Sequence, residues 1–235
     1  MTTSFGGPSL GIPGVYLLDE EAAVRDSLTR LLRSRRLRSR RLRSRRLRSR
    51  RLRSQGFANA EVFAAFVASR DLCGGWPDAP SCLLLEVRMP GASGLVLFDR
   101  LVEQGLIAAL PVIFLTGHGD VPTAVAAVKR GASDFVEKPF SDNAQVDGVE
   151  QALVVSGQAI VLRRRQAALA RSLVDLTERE REVASRVVAG LDNQLIADEL
   201  DISVRTVEVH RARMFEKMNV RSAVELANLL RERQP

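Results

Sequence analysis

The sequence predicts an α/β domain, a doubly wound parallel sheet, followed by an all-α domain. Three observations carry that reading. From Val15 to about Gln151, short apolar runs alternate with amphipathic stretches, the pattern of strands and helices around a parallel sheet. Loop-forming and charged residues collect at the ends of the apolar runs. From Leu176 to Leu230, apolar residues recur at helical spacing. The expected limits are a flexible Gly/Ser/Pro-rich start at 1–14, the α/β domain at 15–150 with an Arg-rich insert at 32–51, a helical linker at 151–174, and the all-α domain at 175–235.

In the first domain the expected strands are Val15–Leu18, Cys82–Val87, Val112–Thr116 and Asp134–Glu137, with helices starting near Ala22, Gly94 and Val121. The groups that follow the strands are Asp19-Glu20, Glu86 with Arg88-Met89-Pro90-Gly91, Thr116-Gly117-His118-Gly119, and Lys138-Pro139. In open α/β sheets, sites form at the carboxyl edge of the strands. Three carboxylates, a hydroxyl and a lysine are therefore expected to converge there. By themselves they fit unrelated loop residues equally well.

Leu32 to Arg51 is four copies of Leu-Arg-Ser-Arg-Arg, and Leu52-Arg53-Ser54 begins a fifth. Deleting the four copies leaves Thr29-Arg30-Leu31 joined to Leu52-Arg53-Ser54-Gln55-Gly56-Phe57, a natural helix end and turn, so the insert reads as a tandem duplication within a loop. It carries twelve Arg; the net charge of +7 becomes −5 without it. A period of five spreads its leucines around a helix axis and leaves no buried stripe. The alternative reading is a polyanion-binding segment. Just beyond it, Gly56-Phe57-Ala58-Asn59 is too short for a normal edge strand, so that strand is expected to be lost.

The second domain opens with Thr177-Glu178-Arg179-Glu180, a capping box. A short helix with Leu195, Ile196 and Leu200 on its apolar side follows, then a turn at Asp201-Ile202 and a third helix capped by Ser203. On that helix Val204, Val207, Met214 and Met218 face the core, while Arg205, Val209, Ala212 and Arg213 point away with Glu208 and His210 on the flanks. Arg beside small apolar groups suits a major groove, where Arg reads guanine and a methyl contacts thymine. Periodicity alone fits a four-helix bundle with a polar outer face equally well. From Ser172 the domain holds ten Lys/Arg against twelve Asp/Glu, with the basic groups gathered on the third helix, so few phosphate contacts are expected per subunit and binding calls for a dimer on paired half-sites.

The wording of both halves is more specific. LTEREREV, IADELDIS and TVEVHRARMFEKM resemble the LuxR/NarL-type helix-turn-helix family. That resemblance implies a scaffold helix at Asn193–Leu200, a recognition helix at Ser203–Met218 and dimerisation through Ser222–Leu230. The DNA-facing set it implies is Arg205, Thr206, Glu208, Val209, His210, Ala212, Arg213 and Lys217. LLDEEAAVRDSL, CLLLEVRMPGASG and VIFLTGHGDVPTAVAAVKRGASDFVEKPF resemble the flavodoxin-like receiver domain of FixJ-type response regulators. By resemblance, Asp19 and Glu20 are the Mg²⁺-holding pair, Thr116 binds phosphoryl oxygens, Lys138 neutralises an acyl phosphate, and Phe135 is the aromatic switch. The phosphoacceptor position holds Glu86 where the family has Asp. The extra methylene moves the carboxylate by about 1.5 Å, and phosphoryl transfer depends on positioning.

The resemblance implies a two-component response regulator that binds DNA in a sequence-specific way as a transcription regulator, and no enzyme. Its partners would be duplex DNA, a sensor histidine kinase, RNA polymerase and a second copy of itself. A phosphorylation-independent regulator and a protein-binding adaptor are the alternatives. Cys73 and Cys82 stand without a CxxC or His cluster, which fits a reduced cytoplasmic protein. No apolar run is long enough to span a membrane.

Overall fold

The computed structural model describes residues 10–34, 52–70, 75–89, 91–117 and 121–231. Residues 1–9, the repeat copies between 35 and 51, Cys73 and His118 lie outside that set. The chain divides into two compact units, 1–161 and 162–235.

In the first unit five parallel strands lie in the order β2-β1-β3-β4-β5, formed by β1 (Gly14–Leu18), β2 (Arg53–Phe57), β3 (Ser81–Glu86), β4 (Val112–Thr116) and β5 (Asp134–Glu137). Helices α1 (Ala22–Ser34), α2 (Ala60–Arg70), α3 (Gly94–Glu103), α4 (Val121–Lys129) and the first part of α5 (Asp142–Val174), up to residue 161, complete it. The period of two along each strand builds the two layers. Val15, Leu17, Cys82, Leu84, Ile113 and Leu115 pack with Leu28 and Leu32 of α1 and with Val149 and Leu153 of α5. Their neighbours Leu18, Leu83, Leu85 and Phe114 face the other way, onto Phe63, Leu97 and Phe98 of α2 and α3. A sheet covered on both faces explains why β3 and β4 read as unbroken apolar runs.

The edge strand expected to be lost is present. Arg53-Ser54-Gln55-Gly56-Phe57 pairs in parallel with Gly14–Leu18, so the last repeat copy supplies its first residues. Its outer position hides it in the sequence: Arg53, Gln55 and Gly56 are exposed, and an edge strand needs no apolar alternation on its solvent side. The first copy is structural too. Leu32 is buried at the end of α1 and Leu52 packs against the same cluster. The repeat, expected to leave no buried stripe, nevertheless packs its end leucines, Leu32 and Leu52, in this cluster. Helix α2 carries no helical period in its sequence, because its run, Ala-Glu-Val-Phe-Ala-Ala-Phe-Val, is apolar nearly all round. Cys82 is fully buried in β3, and burial pushes its thiol well above the ordinary range.

The second unit holds the last turns of α5 and helices α6 (Glu178–Val188), α7 (Asn193–Leu200), α8 (Val204–Met218) and α9 (Ala223–Arg231). Each start is locally encoded. Thr177 and Glu180 form the capping box of α6, Asp192 caps α7 by accepting from the Leu195 N–H, and Ser203 caps α8 by accepting from the Thr206 N–H. Asp201 ends α7 with φ 51° and ψ 50°, the left-handed conformation that Asp adopts more readily than most residues. Val183, Val187, Ile196, Ala197, Val207, Met214, Met218 and Leu226 make the core. Leu195, expected on the apolar side of α7, is 53% exposed, and Ala197 takes the inward place.

Candidate functional site

The carboxyl edge of the sheet gathers the residues that end its strands. Asp19 follows β1, Glu86 ends β3, Thr116 ends β4 and Lys138 follows β5. Asp19, Glu86 and Thr116 are all buried. The Lys138 ammonium bridges the two acids, 2.7 Å from Asp19 Oδ2 and 2.5 Å from Glu86 Oε2. Lys138 is held there from its backbone, whose N–H donates to the Thr116 carbonyl at 2.7 Å. Glu86 Oε1 accepts from the Val87 N–H at 2.9 Å and the Arg88 N–H at 3.3 Å. Asp19 Oδ1 accepts from the Glu21 N–H at 2.8 Å. Burial pushes the Lys138 ammonium toward losing its proton, but the hydrogen bonds it donates to Asp19 and Glu86, and their charges, outweigh it and hold its pKa above the ordinary lysine value. Phe135 is half buried against Phe114, with ring centres 6.1 Å apart.

Two features of this edge have no counterpart in the sequence reading. Arg25, one turn into α1, donates from one guanidinium nitrogen to the Asp19 carbonyl at 2.6 Å and the Glu20 carbonyl at 2.9 Å. It fixes the loop that carries the acids. Gly94 is the other: a Cβ there would stand 2.1 Å from the Glu86 carbonyl oxygen, so only glycine lets α3 start so close to the end of β3.

The acids do not present a cation cage. Both oxygens of Asp19 and both of Glu86 already receive N–H or ammonium donors, and the Glu20 residue is exposed. No cluster of three His, Cys, Asp or Glu suited to a metal occurs among the described residues. Mg²⁺ needs near-octahedral oxygen donors, and this edge does not fit it with Lys138 in place.

In the second unit α8 separates its faces as expected. Val207, Met214 and Met218 are buried, whereas Arg205, Glu208, Val209, Ala212 and Arg213 are exposed; Thr206 and His210 are intermediate. Arg205 lies 3.4 Å from Glu208 in an exposed pair, worth little and easily opened. Lys217 is placed differently from the other expected DNA-facing residues. Its ammonium donates to buried Glu180 at 2.6 Å and to the Asp175 carbonyl at 3.1 Å, so it fastens α8 to the start of α6. Burial raises the Glu180 carboxyl, but Lys217 and the Thr177 N–H outweigh it and hold it below the usual carboxylate range. Arg211 is engaged as well, on Asn193 Oδ1 at 2.8 Å and over the Phe215 ring. The sequence shows basic residues on α8 but not which of them the fold uses internally.

Comparison with known proteins identifies a family for each unit. The family described as bacterial regulatory proteins of the luxR family matches residues 174–230. The response regulator receiver domain matches residues 41–150, a match that begins inside the repeat, so β1 and Asp19 precede it. Over the whole chain, the C4-dicarboxylate transport transcriptional regulatory protein DctR of Rhodobacter capsulatus is 39% identical across 92% of this chain and 98% of its own length. The transcriptional regulatory protein FixJ of Rhizobium meliloti is also 39% identical, across 92% of this chain and 93% of its own. The solved structure of the response regulator StyR superposes with a TM-score of 0.76 at 33% identity, covering 94% of this chain and all of that one. No helix among the described residues is long and apolar enough to cross a membrane.

Proposed function

The chain belongs to the response regulators that join a receiver domain to a LuxR-type DNA-binding domain, and from that premise we propose that it regulates transcription with a receiver set by Glu86 rather than by phosphate. The observation that carries this reading is the seat of the Glu86 carboxylate. One oxygen takes the two backbone N–H groups that follow β3 and the other takes Lys138. A phospho-acceptor needs a free carboxylate oxygen aligned with the donor. Here the longer side chain already spends its charge on the groups that a phosphoryl oxygen would contact. A phosphate would bring about −1.5 to −2 charge where Glu86 brings one, so the receiver rests in a fixed state of its own.

In this reading Arg205, Val209, Ala212 and Arg213 of α8 enter the major groove, with Thr206, Glu208 and His210 beside them, and a homodimer in the cytoplasm reads paired half-sites and engages RNA polymerase. A sensor histidine kinase is then a partner that this receiver no longer needs. The test is labelling of the full chain with acetyl phosphate and Mg²⁺. Wild-type protein is expected to take up little phosphate, Glu86→Asp to take up more, and wild-type DNA affinity to stay unchanged by the donor. Stoichiometric, hydroxylamine-sensitive labelling of the wild type would refute the proposal. The protein-binding adaptor reading gains nothing from the structure, since α8 keeps its outward Arg and small apolar groups.

A further inference from the structure

The acidic edge of the first unit carries its own cations. Asp19 and Glu86 together bear two negative charges, and Lys138 touches both. Arg25 adds a second positive group, held on the carbonyls of Asp19 and Glu20. The charges of the two buried acids are thus balanced within the chain. We propose that Lys138 is the resident cation of this edge, standing where a divalent ion would otherwise draw Asp19 and Glu86 together, so that the unit holds its switch residues without metal.

Three observations support it. First, Glu86 is long enough for one carboxylate to reach Lys138 while keeping two backbone N–H groups, so no oxygen is left without a donor. Second, an ammonium needs only acceptors around it, with three donors and no fixed coordination geometry. Mg²⁺ and similar ions demand a set of oxygens at fixed angles, whereas the third acid of this edge, Glu20, is exposed, and no group of three acids suited to a metal occurs among the described residues. Third, an arriving divalent ion within reach of both acids would stand beside Lys138 and near Arg25, and like charges at such separations repel strongly in a partly buried site. Binding would require Lys138 to withdraw from two short ion pairs. The inference rests on the contacts of Asp19, Glu86 and Lys138, and holds whether or not phosphate is transferred. Its test reads metal, while the labelling experiment reads phosphate, so either can fail alone.

The experiment is titration of the full chain with Mn²⁺, following free ion by electron paramagnetic resonance. The wild type is expected to show no saturable site at millimolar Mn²⁺. Lys138→Met should raise Mn²⁺ affinity about ten-fold or more by removing the repelling charge. Asp19→Asn in the Lys138→Met background should abolish the gain, and Lys138→Arg should leave the site closed. Where Lys138→Met melts too low to assay, Glu86→Asp serves instead, since the shorter acid releases Lys138 and should open the site. A saturable wild-type site, or Mn²⁺ affinity in Lys138→Met (or, where that variant does not fold, in Glu86→Asp) equal to that of the wild type, overturns the proposal.

Discussion

The repeat offers a sharp perturbation because its two ends do structural work and its copies are identical. Helix α1 ends at Ser34 and β2 begins at Arg53, leaving eighteen residues between them. Removing three copies, residues 37–51, joins Arg36 to Leu52 and leaves Arg35, Arg36 and Leu52 as the connection. Helix-to-strand connections of 2–6 residues are common, so three suffice. The net charge falls from +7 to −2, because each copy holds three Arg. Removing the fourth copy as well, residues 32–51, joins Leu31 to Leu52 with β2 starting at the next residue. A single leucine must then fill the place of buried Leu32 and also lead into the strand. Loss of one buried leucine costs about 2–5 kcal/mol, a large part of a typical total of about 5–15 kcal/mol. For a unit of this size that lowers the melting temperature by roughly 4–20 °C. The three-copy deletion should change it by no more than about 2 °C, as a surface change of ±0.5 kcal/mol does. Tyr16 and Trp76 lie in the first unit, so intrinsic fluorescence during a thermal scan reports the right transition. Equal melting of wild type and the four-copy deletion, or collapse of the three-copy deletion, refutes the reasoning.

Four further expectations concern single residues. Arg205→Ala should cost about 1–3 kcal/mol of discrimination between the preferred operator and a mismatched one, and Val209→Ala less, measured by competition binding; an unchanged ratio for Arg205→Ala removes α8's outward face from sequence reading. Gly94→Ala should destabilise the first unit by about 1–3 kcal/mol or more, because its Cβ meets the Glu86 carbonyl at 2.1 Å; a wild-type melt would show that the β3–α3 junction adapts. Lys138 has a raised folded-state pKa, so its contribution to stability is complete below the unfolded value of about 10.4 and is lost as pH rises through the higher folded value; the alkaline fall in melting temperature should therefore be steeper in wild type than in Lys138→Met. Glu180 has a lowered pKa, so its contribution is present above the unfolded value of about 4.3 and is lost as pH falls through the lower folded one; calorimetry of Glu180→Gln should show a flatter acid limb for the second unit, and parallel limbs would contradict the Lys217 pairing.

The buried elements were the most legible in the sequence. Leu83-Leu84-Leu85 reads as a strand covered on both sides, and residues that end parallel strands gather at one edge, so Asp19, Glu86, Thr116 and Lys138 are expected together, an expectation that the resemblance to receiver domains singles out from unrelated loop residues. The edge strand was illegible because half of it faces solvent and its first residues belong to a repeat. Arg25 was illegible because an Arg on a helix is ordinarily a solvated residue, and its use here depends on where the Asp19 and Glu20 carbonyls point, in the loop after β1. On α8, the helical period separates inward from outward positions, yet Lys217 lies on the boundary, where only the neighbour across the gap decides its role.

That boundary lysine changes how salt acts on the molecule. Arg205 and Arg213 are the α8 cations left facing outward, since Arg211 and Lys217 are engaged within the domain. Association with duplex DNA through α8 would then bring only these two cations per subunit to the duplex and release few counterions, a shallow dependence on electrolyte. The Lys217–Glu180 pair responds differently, because Glu180 is buried and mobile ions screen it weakly. In such a complex, added salt would loosen the hold on the duplex while α8 stays pinned at its far end, and orientation would outlast attraction.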